Sequence, residues 1–238
     1  MRRVTVKQAK HICEQLFSEQ RYKDAGDVLG FALREVSTIK DWETLGSIYE
    51  KIPPDIRARL GGIACGYAKT LAGIRQIDAL LDFTEFSLPQ HSGEVAARLL
   101  LERSWALSNR GQYAQACVLL EQALPKLNAQ DQGVAYRRYG FAAFYHGETW
   151  EQYFLMSKKL LHGRALGLTM IDEGHCLYRS KRGMEARLLW TEALRFFSKD
   201  TYHFAWLQYN IGITALHEDD PSGERHLLIA IVPDISPR

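Results

Sequence analysis

The sequence is poor in the features that announce a chemistry. No stretch of about 18 apolar residues is present to cross a bilayer. The basic start, "MRRVTVKQAKH", is not followed by an apolar segment, so no secretory leader is expected. Cysteine is limited to Cys13, Cys65, Cys117 and Cys176, each isolated, with no CxxC and no disulfide-framework spacing. That usage suits a reducing compartment, and a cytoplasmic protein is the expectation. Net charge is nearly absent: 30 Lys and Arg stand against 28 Asp and Glu, and the resulting +2 nominates neither nucleic acid nor an anionic membrane. There is no glycine-rich phosphate loop, no HExxH and no nucleophile elbow, which argues against an enzyme. No cofactor is expected.

Three short motifs invite a chemical reading, and each has a plainer one. His11 with Cys13, and His175 with Cys176, put metal-capable side chains close in sequence. Zinc needs four converging ligands, however, and helical neighbours one or two apart point in different directions. "STIK" at 37–40 matches the Ser-x-x-Lys of some serine acyl enzymes, but no companion motif accompanies it. "HEDD" at 217–220 gathers three carboxylates beside His217, an arrangement open to a divalent cation and more usually a solvated acidic loop. No metal is expected.

What the sequence has in quantity is helical periodicity. A hydrophobic fraction of 46% with 24% charged residues marks a soluble globular chain rather than a disordered one. Between Val4 and Ile231 nothing alternates with period two. Polar or Gly/Pro punctuation, such as "SEQRYKD", "IPPD", "SNRGQY" and "RSKRG", cuts the chain into pieces of roughly 12–17 residues, three to four helical turns each. The expectation is a series of helical hairpins with short loops.

The hairpins repeat. A small residue inside the first helix marks each unit at Gly46, Ser104, Gly140, Gly174 and Gly212, with Cys13 a weaker first member. Successive spacings are 33, 58, 36, 34 and 38, so apart from one interval the period is close to 34. Second helices carry Ala-x3-large-x2-Ala: Ala25, Leu29, Ala32; Ala116, Leu120, Ala123; Ala186, Trp190, Ala193. A reduced form lies around Ala58, with Gly62 and Cys65. Small residues on both helices let two backbones approach, and the bulky residue one turn later fills the gap.

"DWETLGSIY" at 41–49 places Trp42, Leu45, Gly46 and Tyr49 on one helical face. Together with the second-helix pattern, with "NRGQYAQACVLLEQAL" at 109–124 and with "YNIG" at 209–212, it resembles the tetratricopeptide repeat (TPR). The resemblance covers most of residues 5–231. It implies an all-α, right-handed α-solenoid of antiparallel helix pairs, about six hairpins in a single domain over 1–238. Register is irregular around 55–90, where an atypical insertion is expected, and a short tail follows at 232–238. Gly46 would be the contact point between paired helices. Gln152 stands where an alanine is expected, so the helix around 150–161 should pack differently. "PSGERHLLIAI" also lacks the alanine, and no polar capping helix follows it. Either that end packs on another molecule, as in a homodimer through the C-terminal repeat, or the array continues.

The resemblance further implies that first helices line a groove for a protein or peptide partner, making the chain an interaction scaffold or regulatory module. Carried onto this sequence, the inward positions are Arg98, Trp105 and Asn109; Arg137, Phe141 and Tyr145; His175, Tyr178 and Arg179; and Trp206 and Tyr209. Aromatic rings and arginine forks are strong interface anchors, although rings can equally pack between repeats. A nucleic-acid partner is the second reading, because Tyr136 to Trp206 holds 11 Lys/Arg against 7 Asp/Glu.

Overall fold

Helix starts are written into the local sequence. Thr5 accepts the backbone N–H of Gln8 while the Gln8 side chain accepts that of Thr5, a reciprocal cap. Thr38 and Asp41 do the same for the third helix, and Pro54 occupies the first turn of the fourth. The computed structural model describes residues 4–36, 38–199, 201–218, 220 and 222–231. The tail at 232–238 and Ser37 of the "STIK" motif lie outside the described residues, among which there is no strand and no helix long and apolar enough to cross a membrane.

The chain divides into two compact units, 1–128 and 129–238. The first contains α1 (Val6–Ser18), α2 (Tyr22–Ala32), α3 (Ile39–Tyr49), α4 (Pro54–Arg59), α5 (Gly61–Gly73), α6 (Ile77–Ser87), α7 (Gly93–Asn109) and α8 (Tyr113–Ala123). The second contains α9 (Ala129–His146), α10 (Glu151–Leu160), α11 (Gly163–Arg179), α12 (Gly183–Ala193), α13 (Tyr202–His217) and α14 (Ser222–Ile231). Among the described residues these follow one another as seven sequential helix pairs in an all-α repeat fold; in six of them the two helices pack on each other, while α3 packs on α5 rather than on α4.

Five of the pairs turn on the same backbone device. Gln20, Arg75, Gly111, Gly147 and Lys181 all adopt the left-handed conformation. In each case the next residue's N–H reaches back to the carbonyl five before it, as Arg182 does to Leu177 at 3.0 Å and Gln112 to Leu107 at 2.9 Å. This closes the exposed end of the first helix. Each corner lies seven residues beyond a small, fully buried or nearly buried residue: Cys13, Ala68, Ser104, Gly140 and Gly174. Glycine fills two corners without strain, whereas Gln20, Arg75 and Lys181 hold φ of 54°, 59° and 61° against their Cβ atoms.

That ruler resolves the irregular interval. Seven residues past Gly46 stands Pro53, whose ring holds φ at −51° and forbids a left-handed corner. The second helix of that pair, α4, is only six residues long. The next marker is Ala68, 22 residues beyond Gly46 and 36 before Ser104. One shortened pair and one ordinary pair therefore occupy the 58 residues. With α4 so short, α5 also packs against α2, and a Cβ on Gly26 would come within 2.6 Å of the Ile63 side chain.

Gly46 itself is not the close contact its motif suggests. A Cβ there would meet Ile74 at 3.6 Å and Thr70 at 3.7 Å, ordinary van der Waals distances. The tight approaches on this face are made by α3's rings, the Trp42 indole against Gly73 and the Tyr49 hydroxyl end against Gly66. Tyr49 is fully buried, which pushes its phenol pKa up, and its hydroxyl has no hydrogen-bond partner among the described residues.

In the second unit the small markers do act as expected. Gly133 and Gly140 on α9 receive Leu161 and Phe154; Gly167 and Gly174 on α11 receive Phe197 and Trp190. Holes seven apart on one helix thus meet knobs seven apart on the next segment. Gln152 is exposed, because the corner after Gly147 runs to Trp150 before α10 begins and Phe154 turns inward instead. In the last pair Gly223 replaces the missing alanine: a Cβ on Gly212 would lie 2.9 Å from the Gly223 carbonyl oxygen.

Two stability measurements follow. Gly46→Ala should raise helix propensity without a clash, gaining about 0.5–1 kcal/mol, whereas Gly174→Ala drives a methyl into the Trp190 indole and should lose about 1–3 kcal/mol. Chemical denaturation of both variants would read the contrast. Lys181→Gly should relieve the corner and raise the thermal midpoint by about 2–4 °C; a fall would mean the Lys181 side chain contributes more than its backbone costs.

Candidate functional site

In the first unit, α7 carries Arg98, Trp105 and Asn109. Arg98 pairs with Glu94 one turn away at 2.8 Å. The Asn109 amide donates to the Trp105 carbonyl at 2.8 Å, a bond within the helix. Trp105 is half-buried and Asn109 exposed.

The second unit brings more of the expected residues together. On α9, Phe141 and Tyr145 lie one turn apart with ring centroids 4.9 Å from each other. His175 of α11 stands 6.1 Å from the Phe141 ring and accepts from or donates to the Tyr145 hydroxyl through Nε2 at 2.7 Å. All three are half-buried. One turn before Phe141 on α9, Arg137 faces Asp172 of α11 at 3.4 Å. Asp172 was not singled out by sequence reasoning; its position 35 residues beyond Arg137, one repeat on, is the signal that would have found it.

A second grouping joins α11 to α13. The Tyr178 ring packs 6.0 Å from Trp190, and its hydroxyl lies 3.4 Å from His217 Nδ1. Arg179 is exposed beside it. Trp206 is half-buried with its ring edge-on to Trp190 at 5.7 Å, so one face of it belongs to packing between repeats. Tyr209 is 51% exposed.

The metal-capable motifs do not assemble. No group of three His, Cys, Asp or Glu that could hold an ion occurs among the described residues. Cys13 and Cys176 are buried, and desolvation pushes the Cys13 thiol up to about 11 and the Cys176 thiol higher still. In "HEDD", Glu218 and Asp220 are both held by Arg187, and Asp219 lies outside the described residues.

The electrostatics of the face are set by burial first and charge second. Asp172 is pushed up by desolvation and pulled back by Arg137 and Arg138. His175 is lowered by burial and then by Arg179; His203, stacked on Phe197 at 5.1 Å, by burial and then by Arg164 and Arg137. A histidine whose folded pKa lies below its unfolded value takes up its proton more readily in the unfolded chain. The stability it contributes is complete above the ordinary value of 6.5 and is lost as pH falls through the folded pKa. His175→Gln should therefore flatten the fall in thermal midpoint between about pH 7.5 and about pH 5.5. Parallel curves for wild type and variant would show that His175 is not desolvated.

No family model matches the sequence, and no curated protein matches it either. Solved structures do. The APC/C hetero-tetramer Cut9–Hcn1 contains a chain that aligns with 98% of this one at a TM-score of 0.74 and 15% identity. This chain spans 44% of that chain's length. The apo quorum sensor NprR from B. thuringiensis aligns over 98% of this chain and 72% of its own, with a TM-score of 0.64 and 12% identity. YrrB, described as a TPR protein with an unusual peptide-binding site, covers 78% of this chain and 92% of its own at 16% identity and a TM-score of 0.49. On the strength of the first two alignments and of its own seven helix pairs, the chain has the fold of a TPR-like helical-repeat protein.

Proposed function

We propose that the chain is a protein-interaction scaffold, and that the face formed by α9 and α11 grips a peptide or helix of a partner protein. The observation that carries this reading is the Phe141–Tyr145–His175 cluster. Its rings sit on the first helices, are only half-buried in the free chain, and are held in place by the 2.7 Å Tyr145–His175 bond. Rings fixed in advance lose little entropy on binding, which is what makes aromatic anchors strong. Arg137 adds a fork already oriented by Asp172, and Tyr209 adds an exposed ring on α13. On α7 the first unit offers a smaller surface of its own, with Trp105 between Arg98 and Asn109. Likeness of fold to a chain of the Cut9–Hcn1 hetero-tetramer is in keeping with such a role.

The nucleic-acid reading weakens at the same residues. Five of the eleven basic residues between Tyr136 and Trp206 are paired: Arg137 with Asp172, Lys158 with Glu173, Arg182 with Glu151 and Glu185, Arg195 with Glu192, and Arg187 with Glu218 and Asp220 beyond the stretch. Phosphate binding draws on lysines and arginines free to release counterions.

Affinity capture from lysate, with and without nuclease, tests the proposal when wild type runs beside Phe141→Ala. A protein retained after nuclease treatment should be weakened about tenfold or more by the truncation. Recovery that needs intact nucleic acid, or that ignores Phe141→Ala, would overturn the reading.

A further inference from the structure

Basic side chains at most helix corners are already committed. Arg21 meets Glu19 and Asp24, Arg110 meets Asp78, and Arg182 meets Glu185 and Glu151. Arg75, at the corner after α5, and the end of α11 differ, and the latter borders a pocket. Arg179, in its last turn, and Lys181, at the left-handed corner, are both exposed and form no ion pair among the described residues. They edge an open pocket of about 470 Å³ between the ends of α11 and α13.

The rest of the lining leaves that positive charge uncompensated. Its described carboxylate, Glu218, lies 3.1 Å from Arg187, which also holds Asp220. Two of the α11 carbonyls that would oppose an anion here are capped: Tyr178 O accepts from the Lys181 N–H, and Leu177 O from the Arg182 N–H, each at 3.0 Å. Tyr178 and His217 stand together in the lining, the Tyr178 ring fixed against Trp190, and offer a hydroxyl and an imidazole as further hydrogen-bond partners. Gly183 keeps the floor open, since a Cβ there would already meet Glu218 Oε1 at 3.2 Å.

We propose that this pocket is an oxyanion-binding site, taking a single carboxylate or phosphate group between Arg179 and Lys181. The guanidinium offers a planar fork that matches two oxygens, and the ammonium supplies a mobile point charge. The site stands beside the aromatic face without depending on what that face binds.

Nitrogen-15-labelled chain spanning residues 1–238, at low ionic strength, would be titrated with inorganic phosphate and, in a separate arm, with a glutamate blocked at both ends. Saturable shifts at the amides of Lys181, Gly183 and Glu218 are expected. Arg179→Gln and Lys181→Gly should each weaken binding about tenfold, while Arg182→Gln, outside the lining, leaves it unchanged. Lys181→Gly matters most, because it relieves the left-handed corner, and its thermal midpoint, measured alongside, separates lost binding from lost fold. Tighter binding of phosphate would assign the pocket to a phosphorylated ligand, and tighter binding of the blocked glutamate to an acidic side chain. Shifts that grow linearly without saturating, or affinity unchanged in both pocket variants, would overturn the site. Because the probes are free groups, failure here would leave the aromatic face untouched, and failure of partner capture would leave the pocket untouched.

Discussion

The structure depends on how closely two antiparallel helices can approach before the chain must turn. Where a small side chain lies on the first helix, the second can seat a ring or a leucine against its backbone, as Trp190 does on Gly174 and Phe154 on Gly140. Seven residues later a left-handed corner caps the first helix and reverses the chain. Contact and corner are coupled by geometry: two helical turns carry the chain from the buried marker to its end. The half-exposed rings of α9 and α11 occupy the side of the first helices that this packing leaves free, so the candidate face follows from the same constraint that builds the fold.

Much of this was legible in residue spacing. Gly140, Gly174 and Gly212 stand where the period puts them, and each is a close-packing point. What stayed hidden had physical causes. Ala68 marks the missing unit, but an alanine among "GIACGYAKTLAG" carries no distinctive signal. Pro53 excludes the left-handed corner, a consequence that appears only once the other corners are aligned. Gly46 sits in the best-matched motif, yet the tight contacts pass to Gly66 and Gly73, because the shortened α4 lets α5 take its place against α3.

The candidate site was legible in part for a similar reason. Phe141, Tyr145 and His175 could be placed on one face only through the repeat resemblance, and the structure brings their rings together. Arg137 could be placed but not valued: its carboxylate partner lies 35 residues away, at a distance in sequence that only the period makes meaningful. Lys181 read as loop punctuation in "RSKRG"; that it is a helix-capping corner facing a pocket depends on backbone torsion, which composition does not reveal.

The contact between α5 and α2 changes how the first unit can come apart. In a regular repeat array each pair touches only its neighbours, and stability is a sum of nearest-neighbour terms, so an end can fray one pair at a time. Here the first helix of the third pair reaches past the shortened second pair to the second helix of the first, with Ile63 seated over Gly26. That is a next-nearest-neighbour coupling. It ties three successive pairs into one cooperative block, so a loss of twelve residues from one repeat turns a stretch of one-dimensional chain into a unit that opens as a whole.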